Sequence, residues 1–200
     1  MLDYLDAAAA NIRDIAGPIR GRWRVERPEW RQTDSPLKYV DWAMHETIDK
    51  SADLLRLLSP PANGTVVEIG PGACFLAYML REYGCNVTGY DVPDRPLYRE
   101  TAAALNVDVR DWTMRPGVVP EIVRADLIVA TQISWLNDWT PADGQRLVAE
   151  LLRGLTPSGR IVLFPNPQAF GDDDAAAVWE PCRPVLVHMR HLGRGFIFTR

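Results

Sequence analysis

Short apolar runs alternate with amphipathic helical patterns along the chain from residue 65 onwards. Five runs have the length and apolar content of buried strands: "TVVEIG", "NVTGYD", "VDVRDW", "ADLIVAT" and "GRIVLF". Helical patterns separate them at 74–84, at 96–106, more weakly at 116–124, and from Pro141, where Thr140 and Asp143 give an N-terminal cap. Strands separated by helices predict a parallel sheet with right-handed crossovers, and therefore an α/β fold.

The end of the chain has a different pattern. "RPVLVHMRHL" and "GFIFTR" are two strand-like runs, joined through Gly193-Arg194-Gly195. Two strands joined by a short glycine-containing link predict a hairpin. We therefore expect the sheet to end with an antiparallel strand.

The residues before the first strand predict a separate N-terminal segment. Residues 1–16 have helical spacing that Gly17-Pro18 is expected to end, and 17–35 are rich in Arg, Pro and Trp and predict irregular structure. Ser35-Pro36 then resembles a cap before a helix that continues to Leu58. We divide the chain into a cap segment at 1–35 and a main domain at 36–200.

A glycine-rich turn follows the first strand, where ligands bind in sheets of this kind. Glycines there let the backbone turn tightly and approach a ligand closely. The dinucleotide pattern GxGxxG, read from Gly70, requires a third glycine where the chain has Phe75. This spacing disfavours a nucleotide-dependent oxidoreductase.

Residues 68–74, "EIGPGAC", resemble the first motif of the class I methyltransferases that depend on S-adenosylmethionine (SAM), an acid followed by glycines at alternate positions. Cys74 stands in place of the third glycine. The resemblance extends over about residues 36–200, in the family's order of strands and helices. It implies a three-layer Rossmann-like methyltransferase fold whose mostly parallel seven-stranded sheet ends in an antiparallel hairpin, with SAM as the cofactor.

Three acids at successive strand ends carry the expected cofactor site. Glu68 suits the cationic methionine end of SAM and would repel a pyrophosphate. Asp91, roughly 20 residues beyond the glycine turn, is expected to accept hydrogen bonds from the ribose hydroxyls. The resemblance implies that Asp111 accepts from the adenine amino group and that Trp112 offers its amide or stacks. The full expected set is Tyr39, Glu68, Gly70, Pro71, Gly72, Asp91, Val92, Asp111, Trp112, Thr131 and Gln132.

The catalytic residues remain unassigned. Many small-molecule methyltransferases of this family have an acid–histidine pair after the fourth strand, where this chain has Ser134-Trp135, and the (D/N)PPY motif is absent. His45, His188 and His191 are candidates for acid–base chemistry, although a structural role suits each of them as well. Methyl transfer from SAM does not strictly require a base, because the placement of the nucleophile supplies much of the rate.

Composition narrows the function classes. A formal charge of −4 and a pI of about 5.4 argue against a nucleic-acid partner, although arginines cluster between Arg13 and Arg31. The three cysteines contain no CxxC pair, so we expect no metal site. No apolar run reaches the length of a membrane span, and the first residues do not resemble a secretory signal. We expect a cytoplasmic protein, with a homodimer as one possibility.

The sequence therefore predicts a SAM-dependent methyltransferase that acts on a small molecule and releases S-adenosylhomocysteine. The alternative is a SAM-binding module that has lost catalysis and serves as a partner or sensor. A methyltransferase acting on nucleic acid or protein also stays open, because the arginine cluster could contact an anionic partner.

Overall fold

The structure is a computed structural model that describes residues 2–31, 36–122, 124–132, 134–166, 175–190 and 192–200. The α-helices in these ranges are α1 (Leu2–Glu26), α2 (Met44–Leu58), α3 (Phe75–Glu82), α4 (Pro96–Ala104), α5 (Pro141–Arg153) and α6 (Ala175–Trp179). The strands are β1 (Thr65–Ile69), β2 (Asn86–Asp91), β3 (Asp108–Asp111), β4 (Ala125–Thr131), β5 (Leu155–Phe164), β6 (Val185–Met189) and β7 (Gly193–Thr199). Short 3₁₀ turns occur at Pro28–Arg31, Pro36–Val40, Ser134–Asp138 and Glu180–Cys182.

The seven strands form one sheet in the order β3-β2-β1-β4-β5-β7-β6. β1 to β5 are parallel to one another, and β7 is antiparallel to both β5 and β6. The predicted sheet and its final antiparallel hairpin are confirmed. Strand order reverses between β1 and β4, and ligands bind above such a reversal in open α/β sheets.

Both faces of the sheet are buried, and side chains alternate between them along each strand. Val66 and Val129 belong to a core shared with α1, α2, α3 and α4. Val67 and Ile128 belong to the core on the other face, which includes α5. The three-layer α/β architecture is therefore confirmed.

The first helix is longer than predicted. We expected Gly17-Pro18 to end it, but α1 continues to Glu26. The reason is tertiary packing: Ile12, Ala16, Ile19 and Trp23 form one buried stripe across the proline. Pro18 itself is exposed. The prediction of irregular structure from residue 17 was wrong as far as Glu26, and residues 32–35 lie outside the described residues.

Two other helix predictions need correction. The helix expected from Pro36 begins instead as a 3₁₀ turn at Pro36–Val40, and α2 starts at Met44; the expected cap, Ser35, lies outside the described residues. The weak helix predicted at 116–124 was wrong. Arg115 and Val118 form a bridge across a tight turn there, and the chain enters β4 without helical structure in its described part.

The glycines expected to form the final turn lie inside β7. Gly193 pairs with Met189 and Gly195 pairs with Val187, so the turn comes earlier. Gly195 is needed for packing, since a Cβ placed on it would lie 2.4 Å from the buried ring of Phe164. The hairpin prediction was right, and the interpretation of these glycines as its turn was wrong.

Candidate functional site

A cavity of about 720 Å³ lies at the carboxyl ends of β1, β2 and β4. The 3₁₀ turn Pro36–Val40, called here the cap turn, and one side of α2 complete its wall. From the predicted cofactor set, the residues that line it are Tyr39, Glu68, Gly70, Pro71, Gly72, Asp91, Val92, Thr131 and Gln132. The structure thus brings together nine predicted residues from four separate parts of the chain.

The glycine turn after β1 has a left-handed backbone at alternate positions. Gly70, Gly72 and Cys74 have φ values of 69°, 52° and 62°. The Gly70 amide donates to the carbonyl of Tyr90 on β2 over 2.8 Å, which anchors the turn to the sheet. Glycine adopts this conformation without a steric penalty, whereas an L side chain is strained in it by about 1–2 kcal/mol. Cys74 therefore carries strain at the start of α3.

Glu68 is a buried carboxyl group on the cavity wall. Its side chain is only 5% exposed, and Oε2 has no hydrogen-bond partner. Burial, followed by the negative charge of Asp91, raises the pKa of Glu68 to about 8. A buried acceptor without a partner is costly, so the site favours a ligand that donates a hydrogen bond or carries a positive charge here.

Asp91 links the end of β2 to the glycine turn. Its Oδ2 accepts from the Gly72 amide over 3.0 Å, and its Oδ1 accepts from the Val92 amide over 2.8 Å. Burial raises the pKa of Asp91, while these two hydrogen bonds oppose the rise. Each carboxylate oxygen can accept a second hydrogen bond, so Asp91 keeps acceptor capacity toward the cavity that it lines.

The two expected adenine-site residues are not on the cavity wall. Asp111, at the end of β3, is exposed and forms an ion pair with Arg99. Trp112 packs edge-on against Tyr90, with ring centroids 6.4 Å apart, and its amide donates to the Asp91 carbonyl over 2.9 Å. Its indole Nε1 is buried and has no partner. Their contact with adenine stays a prediction.

The segment after β4 adds polar groups to the cavity. Gln132 has a φ of 49°, and its amide donates to the Phe164 carbonyl over 2.7 Å, which fixes the chain as it leaves the sheet. Asn137, in the following 3₁₀ turn, lines the cavity, and its Oδ1 is buried without a hydrogen-bond partner. The side chains of Ser134 and Trp135 lie outside the described residues.

The candidate histidines are not on the cavity wall. His45 is exposed near the start of α2, and His188 is exposed on β6, opposite Arg194 of β7. His191 lies outside the described residues. Among the described residues, therefore, no histidine reaches the cavity.

Sequence reasoning missed several residues that line the cavity. Those that bear polar or charged side chains are Lys38, Thr47, Lys50, Ser51, Arg95, Tyr98 and Asn137. The spacing of Thr47, Lys50, Ser51 and Leu54 is that of one helix face, a signal present in the sequence. The ring centroid of Tyr98 lies 6.3 Å from that of Tyr39. Its place on the cavity wall could not be predicted from the sequence, because it depends on how α4 packs against the cap turn.

Two classes of site are not found in the described part of the chain. No group of three or more metal-binding side chains is present in it. None of its helices has the length and apolar character required to cross a bilayer.

Comparison with solved structures finds similar folds. A TehB-like SAM-dependent methyltransferase from Corynebacterium glutamicum aligns with a TM-score of 0.58 and 18% identity, over 75% of this chain and 86% of that one. A SAM-dependent methyltransferase from Aquifex aeolicus gives 0.55 and 16%, over 74% and 88%. The pyocyanin biosynthetic protein PhzM gives 0.58 and 16%, over 75% of this chain and 54% of that one.

No protein-family model matches the sequence, and no curated protein sequence matches it. At identities this low, the likeness establishes the fold alone. The chain has the class I methyltransferase fold that its strand order and first motif predict.

Proposed function

We propose that this protein is a SAM-dependent methyltransferase that methylates a small molecule and releases S-adenosylhomocysteine. One observation carries the proposal: Glu68, a residue of the cavity wall beside the glycine turn, is buried and has an oxygen without a hydrogen-bond partner. Once ionised, this carboxyl group suits a cationic ligand and opposes a phosphate. The fold shared with the two SAM-dependent methyltransferases supports the same assignment.

The residues present fit SAM. Glu68 would receive the positively charged methionine end. Asp91, with acceptor capacity left after its two backbone hydrogen bonds, would hold the ribose hydroxyls. Gly70 and Gly72 would let the backbone approach the ligand closely.

When bound, SAM supplies a methyl group activated by its positively charged sulfur. The chain's own part is to orient and enclose the two reactants. The segment after β4 would position the acceptor, since the Asn137 oxygen needs a hydrogen-bond donor. Because no histidine among the described residues lines the cavity, we assign catalysis to placement of the acceptor's nucleophile rather than to a general base.

The shape of the cavity favours a small acceptor over a macromolecule. The cap turn, α2 and the strand ends all contribute to its wall, so a small ligand there would be contacted from several sides. Three arginines of the N-terminal cluster are paired with acids: Arg22 with Glu100, Arg24 with Asp41, and Arg27 with Glu29. These pairs reduce the positive charge available to a nucleic acid. PhzM, whose name places it in pyocyanin biosynthesis, is a neighbour consistent with small-molecule chemistry.

Calorimetric titration with S-adenosylhomocysteine tests the cofactor assignment. Asp91→Ala should weaken binding by roughly 1–3 kcal/mol, the cost of losing hydrogen bonds to a charged group. Asp94→Ala is the matched control, because Asp94 is an exposed acid in the same loop, 74% exposed at its side chain and outside the cavity wall. Equal losses in the two variants would contradict a ribose role for Asp91.

A binding module without catalysis is the second candidate. The chain's departure from the family's acid–histidine pair, with Ser134-Trp135 in those places, motivates it. Turnover separates the two candidates. Conversion of SAM to S-adenosylhomocysteine in the presence of small acceptors supports an enzyme, whereas firm SAM binding without turnover supports the module.

A further inference from the structure

Both lysines of the chain lie on the cavity wall. Of the 22 lysines and arginines in the sequence, only Lys38 and Lys50 are lysine. Among the described residues, the basic side chains that line the cavity are Lys38, Lys50 and Arg95. A chain that otherwise uses arginine thus has lysine at two positions around one cavity, which points to a local requirement.

The two lysines reach the cavity from the elements that precede the sheet. Lys38 extends from the cap turn, with its Nζ 5.0 Å from the ring centroid of Tyr39. Lys50 lies on α2, is 22% exposed at its side chain, and pairs with Glu46 over 2.9 Å. Glu46 is itself 58% exposed. An ammonium group has three N–H donors, so the pairing with Glu46 leaves Lys50 two others.

The cavity has acidic and basic parts. Glu68 and Asp91 stand near the ends of β1 and β2, and no ion pair among the described residues joins either of them to a lysine, since Lys50 pairs with Glu46. A bound anion would therefore not have to displace these two carboxyl groups.

The two hydroxyl groups that α2 contributes to the cavity wall cannot replace the lysines as donors. Thr47 Oγ1 donates to the Ala43 carbonyl over 2.8 Å, and Ser51 Oγ donates to the Thr47 carbonyl over 2.8 Å. With their protons used inside α2, both hydroxyls offer only acceptor lone pairs to the cavity. Charged donors toward an anion on this wall come from the lysines.

We infer that Lys38 and Lys50 form a subsite for a carboxylate, or an anion of similar size, on a molecule bound in the cavity. An ammonium is compact and can turn its donors toward a small anion, whereas a guanidinium needs a planar partner that matches its fork. The inference rests on the proposed function for the source of the anion, which is either the amino-acid end of the nucleoside or the methyl acceptor.

The presence of only two lysines makes them direct spectroscopic probes. Protein labelled with ¹³C at the lysine ε carbon should give two lysine signals, which Lys38→Arg and Lys50→Arg assign. Titration with sodium acetate should shift both signals until the subsite is saturated. The titration is carried out on the free protein and on protein loaded with S-adenosylhomocysteine, and saturation in either one counts. Sodium chloride at the same ionic strength should give no saturable shift, because it only screens the lysine charges.

Binding affinities identify the source of the anion. S-adenosylhomocysteine carries the amino-acid carboxylate, and 5′-methylthioadenosine lacks that end. If Lys38→Gln/Lys50→Gln weakens binding of the first by roughly tenfold or more and leaves the second unchanged, the nucleoside supplies the anion. If both affinities are unchanged while acetate still shifts the lysine signals, the acceptor supplies it. Arg56→Gln is the matched control, since Arg56 lies on α2 outside the cavity wall.

Two results would overturn the inference. One is a double variant with unchanged affinities together with lysine signals that respond to acetate only as they do to chloride. The other is an equal loss of affinity for both nucleosides, which marks a structural role for the lysines. If no nucleoside binds the wild-type protein, the proposed function fails, and the acetate titration still decides whether the anion subsite exists.

Discussion

At the scale of single residues, Cys74 marks where this turn departs from the glycine pattern of the methyltransferase motif that it resembles. It is 1% exposed, has a left-handed backbone, and places its thiol 3.4 Å from the Gly72 carbonyl oxygen. Burial raises the pKa of this thiol, which argues against a reactive thiolate. Cys74 therefore has a structural role, in which the packing of its side chain stabilises the fold and the strain of its backbone opposes this.

Two substitutions separate these effects. Cys74→Ala removes the sulfur and keeps the strain, while Cys74→Gly removes both. We expect Cys74→Gly to be more stable than Cys74→Ala by about 1 kcal/mol, because only glycine adopts the left-handed backbone freely. Urea unfolding measures the difference. An alanine variant as stable as the glycine variant would show that the turn relaxes without cost.

Glu68 gives a pH prediction whose sign is fixed by its pKa. Burial raises that pKa to about 8 in the folded protein, so the folded state holds a proton that the unfolded state has released above about pH 5. The stability contributed by this proton is complete below about pH 4.5 and is lost as the pH rises through about 8. From pH 6 to pH 8 the ligand-free protein should lose roughly 2 kcal/mol, at about 1.4 kcal/mol per pH unit.

Glu68→Gln is the variant that isolates this effect. It keeps the shape of the protonated side chain and cannot ionise, so its stability should change less between pH 6 and pH 8 than that of the wild type. Asp91 and the Cys74 thiol face Glu68 and are present in both proteins. Denaturant unfolding at the two pH values provides the test, and parallel losses in both proteins would assign the pH dependence to other groups.

The sequence predicted some residues of the cavity wall and missed others, for a physical reason. Glu68 lies one residue before the end of β1 and Asp91 ends β2, so the pairing of these strands fixes the positions of both side chains. Asp111 ends the edge strand β3, where Arg99 pairs with it. The positions of Lys50 and Asn137 depend on how a helix and a loop pack over the sheet. The pattern of neighbouring residues in the sequence does not determine this packing.

At the scale of elements, α1 illustrates how packing overrides a local stop signal. Pro18 lacks an amide proton and cannot make the usual helical hydrogen bond, a loss of about 3 kcal/mol in a helix interior. The helix continues because its buried stripe on both sides of the proline contacts α3 and α4.

This helix gives a stability prediction. Pro18 is exposed, so Pro18→Ala restores a backbone hydrogen bond without altering the core. We expect the variant to be more stable by roughly 1–2 kcal/mol, since the greater freedom of its unfolded chain offsets part of the helical gain. Thermal and urea unfolding should both report the increase, and a loss of stability would indicate that the proline suits a local distortion of α1.

β7 shows the opposite error, in which an ordinary strand resembled a turn. Gly195 lies within β7, and the ring of Phe164 on β5 fills the space that a side chain at this position would occupy. Gly195→Ala should destabilise the protein by about 1–3 kcal/mol, the usual range for overpacking a closed core. Gly21→Ala on α1, where a Cβ meets nothing within 4 Å, is the control and should not destabilise. Similar losses in both variants would contradict the packing explanation.

At the scale of the whole molecule, the sheet order determines where chemistry can occur. The reversal between β1 and β4 opens the cavity at their carboxyl ends, and strand–helix alternation was enough to predict that location. Of the wall contributed by the cap turn and α2, only Tyr39 was predicted from the sequence. This wall arises from contacts between distant segments, such as the pair of Arg24 with the buried Asp41, whose Oδ2 lies 2.6 Å from Nε.

The most direct measurement of the central claim is calorimetric titration of S-adenosylhomocysteine into the intact protein near pH 7, in two buffers of different ionisation enthalpy. Because Glu68 is largely protonated at this pH and must ionise to face a cationic amine, binding should release a substantial fraction of one proton. Glu68→Gln should bind more weakly and without that release. Absence of binding to the wild type, or tight binding with the same proton exchange in both proteins, would contradict the account.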